Sequence, residues 1–211
     1  MNSDYSKRHN NTMRITTTIT IIIIVVISLI IYYSLSIFII PQLYFLSSSE
    51  VKPQPIITAA KLSASKVAVG ESFDLTIIAT NKGDTADMQL VSLSFPNITS
   101  IDNIVKISKY NFTQKPIFIK MGDKVASEYI KVDKAINAYY PTIEANSRPW
   151  YNGDYYQISV EVKPNNIGRF VIFVKTIALP HTNELGHYPK NGIKDHQGEF
   201  VVVSSIEVVN K

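Results

Sequence analysis

Residues 73–95 read FDLTIIATNKGDTADMQLVSLSF, and their pattern decides the fold. Phe73, Leu75, Ile77 and Ala79 fall on one side of an extended chain, with Asp74, Thr76 and Thr80 on the other. That period of two marks a half-buried strand. Asn81, Lys82, Gly83 and Asp84 supply turn chemistry. On the return, Met88 and Leu90 give way to Val91, Leu93 and Phe95, a change of phase that predicts a β-bulge near Leu90. Two such strands around a glycine-containing loop read as a hairpin.

Outward from this stretch, strands are predicted at residues 104–107, 117–121 and 156–162. The last runs through KPNNIG (163–168), a tight corner, into a strand at 169–178. Residues 170–174 are apolar on both faces, which places that strand centrally and under cover. A final strand is predicted at 199–209. Residues 124–140 carry two signals: Val125, Tyr129, Val132 and Ile136 fit a helical stripe, while 129–133 fit a strand. The β character of the rest favours strand. Seven or eight short strands with turn signals between them give an all-β fold, an antiparallel two-sheet sandwich, expected to begin near Ile56 and occupy 56–211.

The segment VAVGES (67–72) followed by FDLTIIATNKGDTAD (73–87) resembles the first hairpin of prokaryotic cell-surface Ig-like domains of the CARDB type. In that family a Val-Gly-Glu lead-in precedes a strand ending in Asn-x-Gly. KPNNIGRFVIFVK (163–175) and GEFVVVSSIEVV (198–209) resemble its penultimate corner and closing strands. The resemblance implies an Ig-like sandwich with adhesion, assembly or spacer roles and no fixed ligand. Residues 97–152 depart from the family's compact spacing.

The second decisive stretch is ITIIIIVVISLIIYYSLSIFII, residues 19–40, inside a span from Arg14 to Glu50 that holds no charged residue. As a helix it reaches roughly 33 Å, enough to cross a hydrocarbon core of about 30 Å once. It is also longer than the apolar region of a cleaved secretory signal, which favours an uncleaved anchor and contact with membrane lipid. Lys7, Arg8 and Arg14 against Asp4 mark the 1–18 tail as cytoplasmic, so the C-terminal part is expected outside the cytoplasmic membrane. Residues 41–55, polar and proline-containing from Ser47, read as a stalk.

The tail accounts for two of the four net positive charges, leaving the outer domain near neutral. No Lys/Arg stripe argues for nucleic acid. The chain holds no cysteine, which removes thiol catalysis, thiolate zinc and iron–sulfur ligation.

Two arrangements carry chemistry. His181, Glu184 and His187, followed by Asp195, His196 and Glu199, offer imidazole and carboxylate donors on a long connection at 179–197. Pro180, Gly186, Pro189 and Gly192 forbid the helix that would put this spacing on one face, so a solvated loop is the expectation there. Tyr139, Tyr140, Trp150, Tyr151, Tyr155 and Tyr156, interleaved with Pro141, Pro149 and Gly153, suit sugar or protein contacts, because aromatic rings offer rigid area with a polar handle. Asn97 and Asn111 open sequons on the outer side; the sequon at Asn10 lies inside. Ser63 and Lys66 match SxxK, yet no KTG or SDN follows. Neither a phosphate loop nor a nucleophile elbow occurs.

The expected protein is therefore a single-pass, non-catalytic binding, adhesion or scaffolding module without cofactor, its partner a surface protein or glycan. Its rivals are an accessory subunit of a membrane complex and a metal-binding protein using the histidine loop.

Overall fold

The computed structural model describes residues 2–35, 52–125, 137–149, 151–180 and 186–211. They form two units, an N-terminal helix and a β-domain. Helix α1 (Asn2–Ser34) holds the apolar stretch Thr16–Ser34, 19 residues with mean hydropathy 2.3. Side chains along that stretch are exposed throughout, Leu29 and Ile30 each by 59%. Threonine hydroxyls near its start turn back on the helix, as Thr20 Oγ1 does by donating to the Thr16 carbonyl at 2.9 Å. Residues 36–40 of the expected span, and 41–51 of the expected stalk, lie outside the described residues.

The β-domain runs β1 (Pro55–Leu62), β2 (Lys66–Ala68), β3 (Phe73–Asn81), β4 (Met88–Ser94), β5 (Val105–Tyr110), β6 (Ile117–Ile119), β7 (Thr142–Ser147), β8 (Tyr155–Val162), β9 (Gly168–Leu179), β10 (Gly186–Tyr188), β11 (Ile193–Lys194) and β12 (Phe200–Val209). One sheet has the order β1-β3-β8-β5; the other has β11-β12-β9-β4-β7-β6. Every pairing is antiparallel except a short parallel one between β2 and β12. This is an all-β sandwich of two sheets.

The alternation at 73–79 does what its period dictates: Phe73, Leu75, Ile77 and Ala79 are buried, while Asp74 is exposed. Opposite them lie Ile158, Val160 and Val162 of β8, then Val91 and Leu93 of β4, Ile143 of β7 and Ile172 of β9, in one core. The Phe73 and Phe170 rings meet edge to face at 6.0 Å across the two sheets. Each such side chain contributes about 1.5–3 kcal/mol by leaving water.

Two expectations from the opening stretch are corrected. Residues 73–95 are not a hairpin: β3 pairs with β1 and β8, whereas β4 pairs with β7 and β9 in the other sheet. The connection at 82–87 is long enough to step across a sandwich about 10 Å thick, and it buries Ala86 on the way. Nor is there a bulge at Leu90, since the register of β4 against both neighbours runs unbroken. The phase changes because β4 is covered on both faces, with Val91 in the core and Leu90 buried on the outer side.

Strand β9 is central, between β12 and β4, as its apolar run predicts. Residues 97–152 contribute β5, β6 and β7, and the connection after β9 contributes β10 and β11. Of the ambiguous segment 124–140, Lys124 and Asn137 form an isolated antiparallel bridge, and 126–136 lie outside the described residues.

Candidate functional site

The outer face of the larger sheet carries the densest chemistry. Lys175 breaks the apolar run of β9 between Val174 and Thr176, both buried against the core. Glu144 of β7 likewise points out between Ile143 and Ala145, and is itself buried at 3% exposure. The register places Glu144, Ser92 and Lys175 in one row across three strands. With serine between them, the charged side chains flank a shallow floor completed by Ser94, whose hydroxyl bonds Thr142 at 2.9 Å.

Over this floor comes the turn between β11 and β12. Asp195 builds it, its Oδ1 accepting the N–H groups of Gln197 at 2.9 Å and Glu199 at 3.0 Å. Gly198 supplies the positive φ of +82° that the turn requires. The Lys175 ammonium donates to Glu199 and lies 3.7 Å from Asp195 Oδ2. Lys175 and Asp195 are largely buried, so a cation already sits where an acidic cluster would otherwise attract one. Gln197 Nε2 donates to the Asn137 carbonyl at 2.8 Å and ties the turn to the segment before β7.

That segment delivers Tyr139 and Tyr140. Their rings meet edge to face at 4.8 Å; Tyr140 packs on Phe173 at 5.9 Å, and Tyr139 stacks on His196 at 3.7 Å. Tyr139 remains 47% exposed, and with His196 it forms a flat ledge beside the charged cluster. Burial, reinforced by the charges of Tyr139 and Asp195, raises the Tyr140 phenol above its ordinary 10.0, so it is a neutral donor at physiological pH. The void enclosed here is about 70 Å³. That admits about two waters and falls well short of the roughly 300 Å³ of a small-molecule pocket. The arrangement is an exposed aromatic ledge beside a charged cluster that Lys175 holds together.

No known protein family and no curated protein matches the chain. Solved structures with some likeness include a cohesin module from a family 33 glycoside hydrolase of Clostridium perfringens, at 7% identity and TM-score 0.38, over 77% of this chain and 100% of that one. A β-glucosidase from Erythrobacter marinus gives 13% and 0.34, over 74% and 16%. The sporulation control protein Spo0M from Bacillus subtilis gives 12% and 0.35, over 74% and 49%. The chain thus spans less than half of the latter two. Likenesses this distant leave its activity to be argued from its own residues.

The remaining expected site residues are dispersed. Tyr155 lies on the outer side of β8, in the smaller sheet, and Tyr151 in the turn before it. Tyr156 points the other way and stacks on Phe112 at 5.2 Å. Trp150 and His181 lie outside the described residues. His187 Nδ1 is 2.8 Å from the Pro189 carbonyl, which fixes the proton on that nitrogen, while His196 is engaged by Tyr139. Among the described residues no three histidine or acidic side chains form a group suited to a metal ion.

Asn97 and Asn111 are exposed. Each uses its carbonyl oxygen to accept a backbone N–H, from Val171 at 2.7 Å and Gln157 at 2.6 Å. Sequence reasoning passed over Lys175 and Glu144. The available signal was a lone charge on the apolar outer face of β9; Glu144 shares its face with Thr142 and Asn146 and carried no such signal.

Proposed function

We propose that the chain is a membrane-anchored, extracytoplasmic, non-catalytic binding module: one N-in helix followed by an Ig-like, CARDB-type sandwich that engages a surface protein or glycan. The observation that carries this reading is the helix stretch Thr16–Ser34, apolar and exposed along its whole length, in the same chain as a sandwich with a complete core of its own. A helix satisfies its backbone in lipid, and such a surface in water would be an aggregation liability. Orientation is supported by the positive charge that precedes the apolar stretch. The recognition surface is the ledge of Tyr139 and His196, where rigid aromatic area stands exposed beside fixed charges. Exposed Asn97 and Asn111 are the places for glycans where the host attaches them.

The test is a crosslinked pull-down of the full-length protein from its native membrane in mild detergent, beside a Tyr139→Ala/His196→Ala variant. A captured protein or glycan that is lost in the variant supports the module. Crosslinks that map to residues 16–34 and survive the substitutions would instead make it an accessory subunit held through its helix.

A further inference from the structure

We infer that the end of the sandwich bearing Tyr151 and Tyr155 rests in the headgroup layer of the lipid membrane. This rests on the anchored reading above. Tyr151 and Tyr155 are 56% and 60% exposed, among the most exposed large side chains of the β-domain. Their backbone is fixed. The turn closes through Asp154, whose Oδ2 accepts the Tyr151 N–H at 3.2 Å and whose N–H returns to the Tyr151 carbonyl. Gly153, at φ +87°, donates its N–H to the Asn81 carbonyl at 2.9 Å.

Asn81 is also where the chain enters the domain. Its Oδ1 accepts the Gln54 N–H at 3.0 Å, and Pro55 pairs with it in register. The tyrosine turn and the start of the domain therefore share one end of the sandwich. The corner at 163–168, with Ile167 exposed, lies at the opposite end of the eight-residue β8, about 26 Å away at 3.3 Å per residue. Between the end of the apolar run at Ile40 and Lys52 there are residues 41–51 only. Eleven residues cannot span more than about 40 Å.

An amphipathic tyrosine ring is at home at headgroup depth. Among the described residues the charges at this end balance, with Lys52, Lys82 and Arg148 against Asp84, Asp87 and Asp154, so the contact is aromatic and needs no anionic lipid.

A chain without cysteine makes the test clean. Single variants Asn152→Cys, Ile167→Cys and Ile23→Cys of the full-length protein are spin-labelled in phosphatidylcholine vesicles. Their exposure to an aqueous nickel chelate and to oxygen is then measured. The inference expects the label at 23 in lipid, the label at 167 open to nickel, and the label at 152 several-fold less accessible than that at 167. Adding Tyr151→Ala and Tyr155→Ala should restore the accessibility at 152. A label at 152 as open as that at 167, with 23 in lipid, overturns the inference and leaves the anchor standing. Protection at 152 that survives both tyrosine substitutions, or persists in amphipol without a bilayer, assigns it to protein contact and also overturns it. A water-accessible label at 23 overturns the anchor itself.

Discussion

Asn81 holds Gln54 to the first core strand: its buried carboxamide oxygen accepts the Gln54 N–H at 3.0 Å and the Gly83 N–H at 3.1 Å. Its Nδ2 donates to the Asp84 carbonyl at 2.6 Å. One side chain thus closes the turn after β3 and fastens the beginning of the domain. Asn81→Ala should destabilise the domain by about 1–2 kcal/mol, because it leaves two part-buried backbone donors and the Asp84 carbonyl without this partner. Asn81→Asp keeps the acceptor but turns a buried carboxylate oxygen on the Asp84 carbonyl where Nδ2 donated, so it should cost at least as much; urea denaturation of the two variants checks the order.

Two glycines press on the same lead-in from different elements. A Cβ at Gly83 would lie 2.2 Å from the Lys52 carbonyl oxygen, and one at Gly186 would lie 2.5 Å from that of Pro53. Both obstacles are backbone, which cannot swing away. Gly83→Ala and Gly186→Ala should each cost on the order of 2 kcal/mol by overpacking. Limited proteolysis should then cut near residues 52–55 faster than in the parent chain.

The parts of the fold legible in the sequence are those where one face is core and the other is water. The alternation of β3 and of β8 is of this kind, whereas β9 was legible from a run that is apolar on both faces. Strand β7 was illegible because its outward positions Thr142, Glu144 and Asn146 are polar yet buried, under cover that a strand's own sequence does not announce. In β4 the same cover read as a bulge. Edge strand β1 hides its period behind a register shift between Ile57 and Ala59.

At the candidate site, Tyr139 and Tyr140 were legible as exposed-loop aromatics. The stacking of Tyr139 on His196 was not, because it depends on the turn at 195–199 folding back over the sheet. Pairing β3 with β4 failed for a related reason. Adjacency in sequence favours a hairpin, and only burial on both faces of β4 sends it to the other sheet.

Lys175 should behave as a strut. Lys175→Met leaves Asp195 and Glu199 facing one another without their cation, and Asp195 is largely buried. The loss should be roughly 3 kcal/mol, the scale for breaking a buried pair from one side. A Lys175→Met/Glu199→Gln double variant should recover part of it, giving a non-additivity above about 0.5 kcal/mol in a double-mutant cycle. Additive losses would mean that the three groups are not coupled.

Tyr140 gives the domain an alkaline limit. Its phenol is raised above 10.0, chiefly by burial, with Tyr139 and Asp195 adding to the shift. The folded chain therefore holds this proton more tightly than the unfolded chain does. The associated stability is fully present below the unfolded value near 10 and is lost as pH climbs through the higher folded value. Tyr140→Phe keeps the ring against Phe173 but removes the titrating group. Urea midpoints taken from about pH 8 to about pH 11 should fall more steeply for the parent than for Tyr140→Phe. Tyr139→Phe, which removes one of the charges raising the partly buried phenol, should soften the fall to an intermediate slope, and equal slopes in all three would show that the Tyr140 phenol is not the group that titrates.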